Sequence, residues 1–242
     1  MDFAVVSSGQ DNNGQGFGNV AVWYENQSNG SVWIRWTIAD NLDNPESIRI
    51  GHVDNDNTAD ILVSEYAGGR VLWYASEKNP TKNNWAEHII SSNLTTPGSA
   101  QFYDMDGDNN LDVVVAFDLP GVMAWFENPR NQSSNWQQTI ISNTVNEVSE
   151  FTRGDFNNDG LLDFVLGSFS NGYMAVLENQ TNGNYALHSY PYFSFTSVES
   201  ADIDSDGDLD LVTSSYDGNR IDWWKNNHAV LDGIFQNGFE SR

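Results

Sequence analysis

The chain has 242 residues, enough to bury a substantial core, and its 13 % aromatic and 18 % charged content is that of a folded rather than a disordered protein. Ten basic against 34 acidic residues leave a formal charge of −24, which repels a phosphate backbone and sets nucleic-acid binding aside. The absence of cysteine excludes disulfides and thiolate chemistry, and no apolar run approaches the roughly 20 residues of a membrane-spanning helix.

The chain opens on DFAVV at Asp2, a short β-branched run, followed by VWYEN around Trp23 and a further apolar run from Trp33. The same three phases return as DILVS at Asp60, LWYAS at Trp73 and the run after Trp85. They return again at Asp112, Trp125 and Trp136, then at Asp163, Val176 and Tyr185, and the last copy has Asp210 and Trp223. A period of about fifty residues with no helical spacing marks a repeat architecture. Within one copy, Ser99–Tyr103 is predicted as a first strand, Asp104–Asp112 as an acidic loop and Val113–Phe117 as a second strand. The turn Asp118–Gly121 leads to a third strand at Val122–Glu127, and the loop Asn128–Asn135 to a fourth at Trp136–Ser142. Four short antiparallel strands per unit describe a propeller blade. The expected fold is therefore all-β: a β-propeller of four-stranded antiparallel blades, five in number, with a fragment of a larger propeller as the alternative. A single domain over residues 1–242 is expected. The first copy lacks its loop and first strand, the last lacks a fourth strand, and residues 229–242 are expected as a closing strand or tail. Trp23, Trp73, Trp125 and Trp223 share one phase and are expected to fill the space between blades.

The loops between first and second strands read HVDNDNTAD (His52–Asp60), DMDGDNNLD (Asp104–Asp112), DFNNDGLLD (Asp155–Asp163) and DIDSDGDLD (Asp202–Asp210). Fifteen of the 34 acidic residues fall inside these loops, which scattered solubilising charge would not do. Oxygen-bearing side chains recur at loop positions 1, 3, 5 and 9, a rhythm that suits a hard cation with six to eight oxygen ligands. The candidate Ca²⁺ ligands are Asp54, Asp56 and Asp60; Asp104, Asp106, Asp108, Asn110 and Asp112; Asp155, Asn157, Asp159, Leu161 and Asp163; and Asp202, Asp204, Asp206, Asp208 and Asp210. Asn110, Leu161 and Asp208 enter through the backbone carbonyl at position 7. Position 6 carries Gly160, Gly207, Asn57 or Asn109, residues that tolerate positive φ. An EF-hand is excluded, because Val115, Leu166 and Thr213 stand where its position-12 Glu would be and a strand follows. By carboxylate count, Asp104–Asp112 and Asp202–Asp210 should bind most tightly, and the loop that starts with His52 most weakly.

The stretch ESADIDSDGDLDLVTSSYDGNRIDWWKN (Glu199–Asn226) resembles the FG-GAP/VCBS repeats of integrin α-subunit propellers and of many secreted bacterial proteins. Weaker copies extend the likeness over almost the whole chain, and the tail GIFQNGFE is similar to short DGFE-type tails of some secreted bacterial proteins. The resemblance implies a calcium loop between the first two strands of a blade and a secreted or cell-surface setting. No basic segment followed by an apolar stretch marks a leader peptide here. The expected role is a calcium-stabilised scaffold, monomeric, for an extracellular protein or glycan partner. A carbohydrate-binding lectin is the alternative, with Tyr66, Phe117, Phe169 and Tyr216 at the hairpin tips as residues to stack on sugar rings. No nucleophile motif or phosphate loop points to an enzyme, and a polysaccharide-degrading propeller is the remaining alternative.

Overall fold

The computed structural model describes residues 2–9, 18–76, 85–119, 121–130, 135–145, 147–169, 172–181, 183–192 and 194–226. The expected closing strand or tail at 229–242 lies outside them. The described residues form five antiparallel sheets. β1 (Phe3–Ser7), β2 (Val20–Gln27) and β3 (Val32–Ala39) make the first. The second holds β4 (Pro45–Gly51), β5 (Asp60–Glu65), β6 (Arg70–Ser76) and β7 (Trp85–Ser91). The third holds β8 (Pro97–Tyr103), β9 (Asp112–Phe117), β10 (Met123–Glu127) and β11 (Gln137–Ser142). In the fourth are β12 (Val148–Gly154), β13 (Asp163–Ser168), β14 (Tyr173–Asn179) and β15 (Tyr185–Pro191). The fifth consists of β16 (Phe195–Ala201), β17 (Asp210–Ser215) and β18 (Arg220–Trp224).

Each sheet runs up and down in chain order, which is the blade of an all-β propeller. The three complete blades are four-stranded; by phase, β1–β3 are second to fourth strands and β16–β18 first to third. The only helical element among the described residues is a single 3-10 turn at Ser28–Gly30. Contacts divide the chain near Ile140 into two compact units, the first holding three blades and the second two.

Burial explains the strand sequences. β5, β9 and β13 are buried at every residue, so both faces need apolar side chains and alternation disappears into runs such as VVVAF. Within the first unit β8 packs against β4 and β5, and within the second β16 packs against β12 and β13. The close approach is set by glycine. A Cβ at Gly51 would sit 2.6 Å from the Phe102 ring, and one at Gly154 2.4 Å from Leu209 Cδ1. Both glycines end a first strand, immediately before an acidic loop.

The tryptophan phase needs a correction. Trp73 is 3 % exposed and stacks on His88 at 4.3 Å between ring centroids, as expected of a core residue. Trp23 pairs across the strands with Trp36 and is half-buried, as is Trp125. Trp223 is 47 % exposed. The difference lies in the fourth strand: Trp36 of β3 and His88 of β7 face the tryptophans of their sheets, whereas β18 has no fourth strand beside it among the described residues. Trp224, the next residue, takes the buried role at 2 % exposure, its indole N–H donating to Thr213 Oγ1.

Candidate functional site: four acidic loops

All four acidic loops join a first strand to a second: β4 to β5, β8 to β9, β12 to β13 and β16 to β17. Their backbones repeat closely. Position 6 has positive φ in each, at 67° for Asn57, 66° for Asn109, 86° for Gly160 and 97° for Gly207. Position 4 does too, at 60° for Asn55, 77° for Gly107, 55° for Asn158 and 62° for Ser205. Two left-handed residues flanking position 5 coil the loop so that alternate side chains turn inward.

Those side chains first organise the loop itself. The position-1 carboxylates accept backbone N–H groups across the loop: Asp104 from Gly107, Asp108 and Asn109, Asp155 from Asp159 and Gly160, Asp202 from Asp206 and Gly207. Positions 3 and 5 accept from the N–H two residues on, as in Asp106 to Asp108, Asp108 to Asn110, Asn157 to Asp159 and Asp159 to Leu161. Asp54 and Asp56 do the same for Asp56 and Thr58, and Asp206 for Asp208. These local turns are what Asp and Asn favour.

Carboxylate oxygens nevertheless converge in two loops. Asp104, Asp106 and Asp108 each offer an oxygen within 4.8 Å of the others, and so do Asp202, Asp204 and Asp210. Oxygens bound to one Ca²⁺ at about 2.3–2.6 Å lie no further apart than about 5 Å, so both triads fit a shared hard cation. Loop 155–163 has Asn157 in place of one carboxylate, its side-chain amide near Asp159 at 3.2 Å and Glu178 at 3.3 Å. In loop 52–60, His52 Nδ1 donates to the Thr58 carbonyl at 2.7 Å. That carbonyl is the position-7 oxygen, so His52 both lacks a carboxylate and occupies another expected ligand.

Position 9 has a second task that sequence spacing does not reveal. Asp60, Asp112, Asp163 and Asp210 are at most 1 % exposed. In each, one oxygen accepts the N–H of loop position 2 (Val53, Met105, Phe156, Ile203) and the other the N–H at the end of the third strand (Ser76, Asn128, Asn179, Asn226). The aspartate thus brackets loop and sheet. Burial pushes the Asp60 and Asp163 carboxyls up to about 6, and raises Asp112 as well. In the third and fifth blades the asparagine it holds extends the bracket to the neighbouring blade. Asn128 Nδ2 donates to the carbonyls of Val53 and Leu111, and Asn226 Nδ2 to that of Phe156. Adjacent loops also touch directly, Asn55 Nδ2 donating to Asn110 Oδ1 at 2.9 Å and Asn158 Nδ2 to Asp208 Oδ1 at 2.7 Å.

Two basic side chains reach into the loops. Arg130 donates to Asp108 from Nε at 2.8 Å and from a terminal nitrogen, and this contact holds the Asp108 carboxyl below its ordinary range. Lys225 donates to Asp204 and, at 2.9 Å, pairs with Asp206, whose carboxyl it likewise holds low.

At the opposite ends of these second strands, the four hairpin-tip aromatics separate into two groups. Phe117 is 4 % exposed and belongs to the core, since it closes the fully buried β9. Tyr66 is half-buried with its hydroxyl donating to Asp118 at 2.6 Å. Phe169 and Tyr216 are open, at 44 % and 69 % exposure, with ring centroids 6.2 Å apart.

Repeated blades with an acidic loop at one fixed corner define an FG-GAP type of propeller. The FG-GAP-like repeat profile matches residues 52–115, 104–166 and 155–213, and the chain belongs to that family. No curated relative matches the sequence. Among solved structures, it is similar to an Agrocybe aegerita lectin, described for specific recognition of non-reducing terminal N-acetylglucosamine, at TM-score 0.52 and 14 % identity. That match covers 81 % of this chain and 55 % of the lectin, so this chain spans about half the lectin's length. No helix among the described residues is long and apolar enough to cross a membrane.

Proposed function

We propose that the protein is a calcium-stabilised extracellular propeller, a monomeric scaffold that presents its hairpin tips to a protein or glycan partner. The observation that carries the calcium reading is the pair of carboxylate triads, Asp104/Asp106/Asp108 and Asp202/Asp204/Asp210, set in loops of matching backbone. Asp104–Asp112 and Asp202–Asp210 would hold the ion through side chains at positions 1, 3 and 5 and the carbonyl at position 7. The buried position-9 carboxylate keeps the loop on its sheet and offers its remaining lone pairs. The ion would supply charge neutralisation and rigidity, and no catalytic step is assigned to these residues. Repeats of this family suit a setting outside the cell, where calcium is abundant enough for sites of modest affinity. Thermal unfolding with calcium and with excess chelator tests the reading, which requires a higher melting temperature with calcium.

A second reading has its own observation. Phe169 and Tyr216 form an open aromatic pair in the second unit, of a kind on which sugar rings stack. The lectin neighbour accords with carbohydrate as the partner. A glycan array with the wild-type protein and the Tyr216→Ala variant tests it; an identical profile for both would remove this pair from consideration.

A further inference from the structure

The residue just before the bracketing position at the end of the third strand is Glu25, Ala75, Glu127, Glu178 and Lys225 in the five blades. In the fourth blade this position reaches the acidic loop, Glu178 Oε1 lying 3.3 Å from Asn157 Nδ2 at loop position 3. In the fifth blade it reaches the same place with opposite charge. Lys225 Nζ donates to Asp204 at position 3 and pairs with Asp206 at position 5, at 2.9 Å. It is thereby seated between two of the carboxylates that a cation in this loop would need. The Lys225 side chain is 38 % exposed. Arg130 differs, since it engages one carboxylate, Asp108, and its side chain is 60 % exposed.

We propose that Lys225 is a tethered competitor for calcium, which sets the fifth-blade loop below the third-blade loop in affinity although it holds more carboxylates. This rests on the calcium reading above. With calcium absent, Lys225 relieves the repulsion between Asp204 and Asp206. For calcium to enter, the ammonium must leave that pair and stay beside a divalent cation, or swing out to solvent. Glu127 and Glu178, at the same position, carry no such penalty. A loop counted from its own residues as one of the two strongest is thereby demoted by a residue just past the end of the third strand.

The test compares wild type with Lys225→Gln and Lys225→Glu by calorimetric calcium titration, with melting temperatures recorded in calcium and in chelator. Asp206→Asn and Asp106→Asn assign binding events to the fifth-blade and third-blade loops. The proposal expects the event lost in Asp206→Asn to be the weaker in wild type. It expects that event to tighten about tenfold or more in Lys225→Glu, and by a smaller factor in Lys225→Gln. It also expects effects of opposite sign: both Lys225 variants melt lower than wild type in chelator, and show a larger gain on adding calcium. An unchanged fifth-blade affinity in both variants, with calcium still bound by wild type, overturns the role of Lys225 alone. Absence of calcium binding in wild type and in every variant overturns the calcium reading and this proposal with it.

Discussion

Asn128 offers the most quantitative handle on how the blades are joined. The residue is 7 % exposed, and its Nδ2 donates to the Val53 carbonyl at 3.1 Å and the Leu111 carbonyl at 3.0 Å. Its Oδ1 accepts the Arg130 N–H at 3.0 Å. Asn128→Ala removes all three bonds while keeping the backbone N–H that Asp112 holds. Each hydrogen bond contributes about 0.5–1.5 kcal/mol, and two carbonyls are left in a buried site, so the loss should be about 2–4 kcal/mol. For a chain of this size 1 kcal/mol corresponds to about 2–4 °C, which gives a fall of roughly 5–15 °C in melting temperature. Asn179 is the internal control. It has the same phase, and within its own blade its Nδ2 donates to the Leu162 carbonyl at 3.4 Å and its Oδ1 accepts the Thr181 N–H at 3.2 Å. With only these longer bonds inside its own blade to lose, Asn179→Ala should cost about 1 kcal/mol. The assay is urea and thermal unfolding of both variants in chelator, which separates the bracket from any bound ion. Equal losses in the two variants, or a loss under about 0.5 kcal/mol for Asn128→Ala, would refute the cross-blade bracket.

Phe169→Ala and Tyr216→Ala remove exposed rings, so each should shift stability by no more than about 0.5 kcal/mol while weakening any glycan-array signal of the wild type. A large fall in melting temperature would instead assign the pair to packing. His88, stacked on Trp73, has its imidazole held below the usual value of 6.5 by burial. The unfolded chain therefore takes up a proton more readily than the folded one, so this group costs stability as pH falls through 6.5. Replacing it by Trp, which stands at the same phase as Trp36, should flatten the acid side of the stability–pH curve; a curve parallel to wild type would contradict this.

Local signals carried most of the fold. The strands β8 to β11 lie within two residues of their predicted bounds, because each is a short apolar run bounded by Asp, Asn, Gly or Pro. The left-handed turn at position 6 was legible from Gly160 and Gly207, but the one at position 4 was not, since only Gly107 among Asn55, Gly107, Asn158 and Ser205 is a glycine. What escaped depends on partners distant in sequence. Asp112 reads as a metal ligand by spacing, yet both its oxygens hold backbone N–H groups, one of them at Asn128, just past the end of the neighbouring strand and 16 residues on in sequence. Phe117 and Phe169 both close a hairpin strand, but Phe117 stands one position earlier in the repeat, at the phase of Ser168, and is core where Phe169 is open. Lys225 sits outside the loop it neutralises, in the WWKN phase that as sequence reads only as a strand end.

The central claim is that cations hold these loops, and its most direct measurement is the melting temperature in millimolar calcium against excess chelator, with magnesium as a control. At a calcium concentration a hundredfold above Kd, each occupied site adds about 2.7 kcal/mol. That corresponds to a rise of about 5–10 °C per site, at 2–4 °C per kcal/mol. The gain should shrink in Asp106→Asn by about one site's share and be smaller in magnesium, which demands tighter octahedral geometry. A melting temperature that is the same in calcium and in chelator would contradict the account, and leave the four loops as acidic turns held only by their own hydrogen bonds.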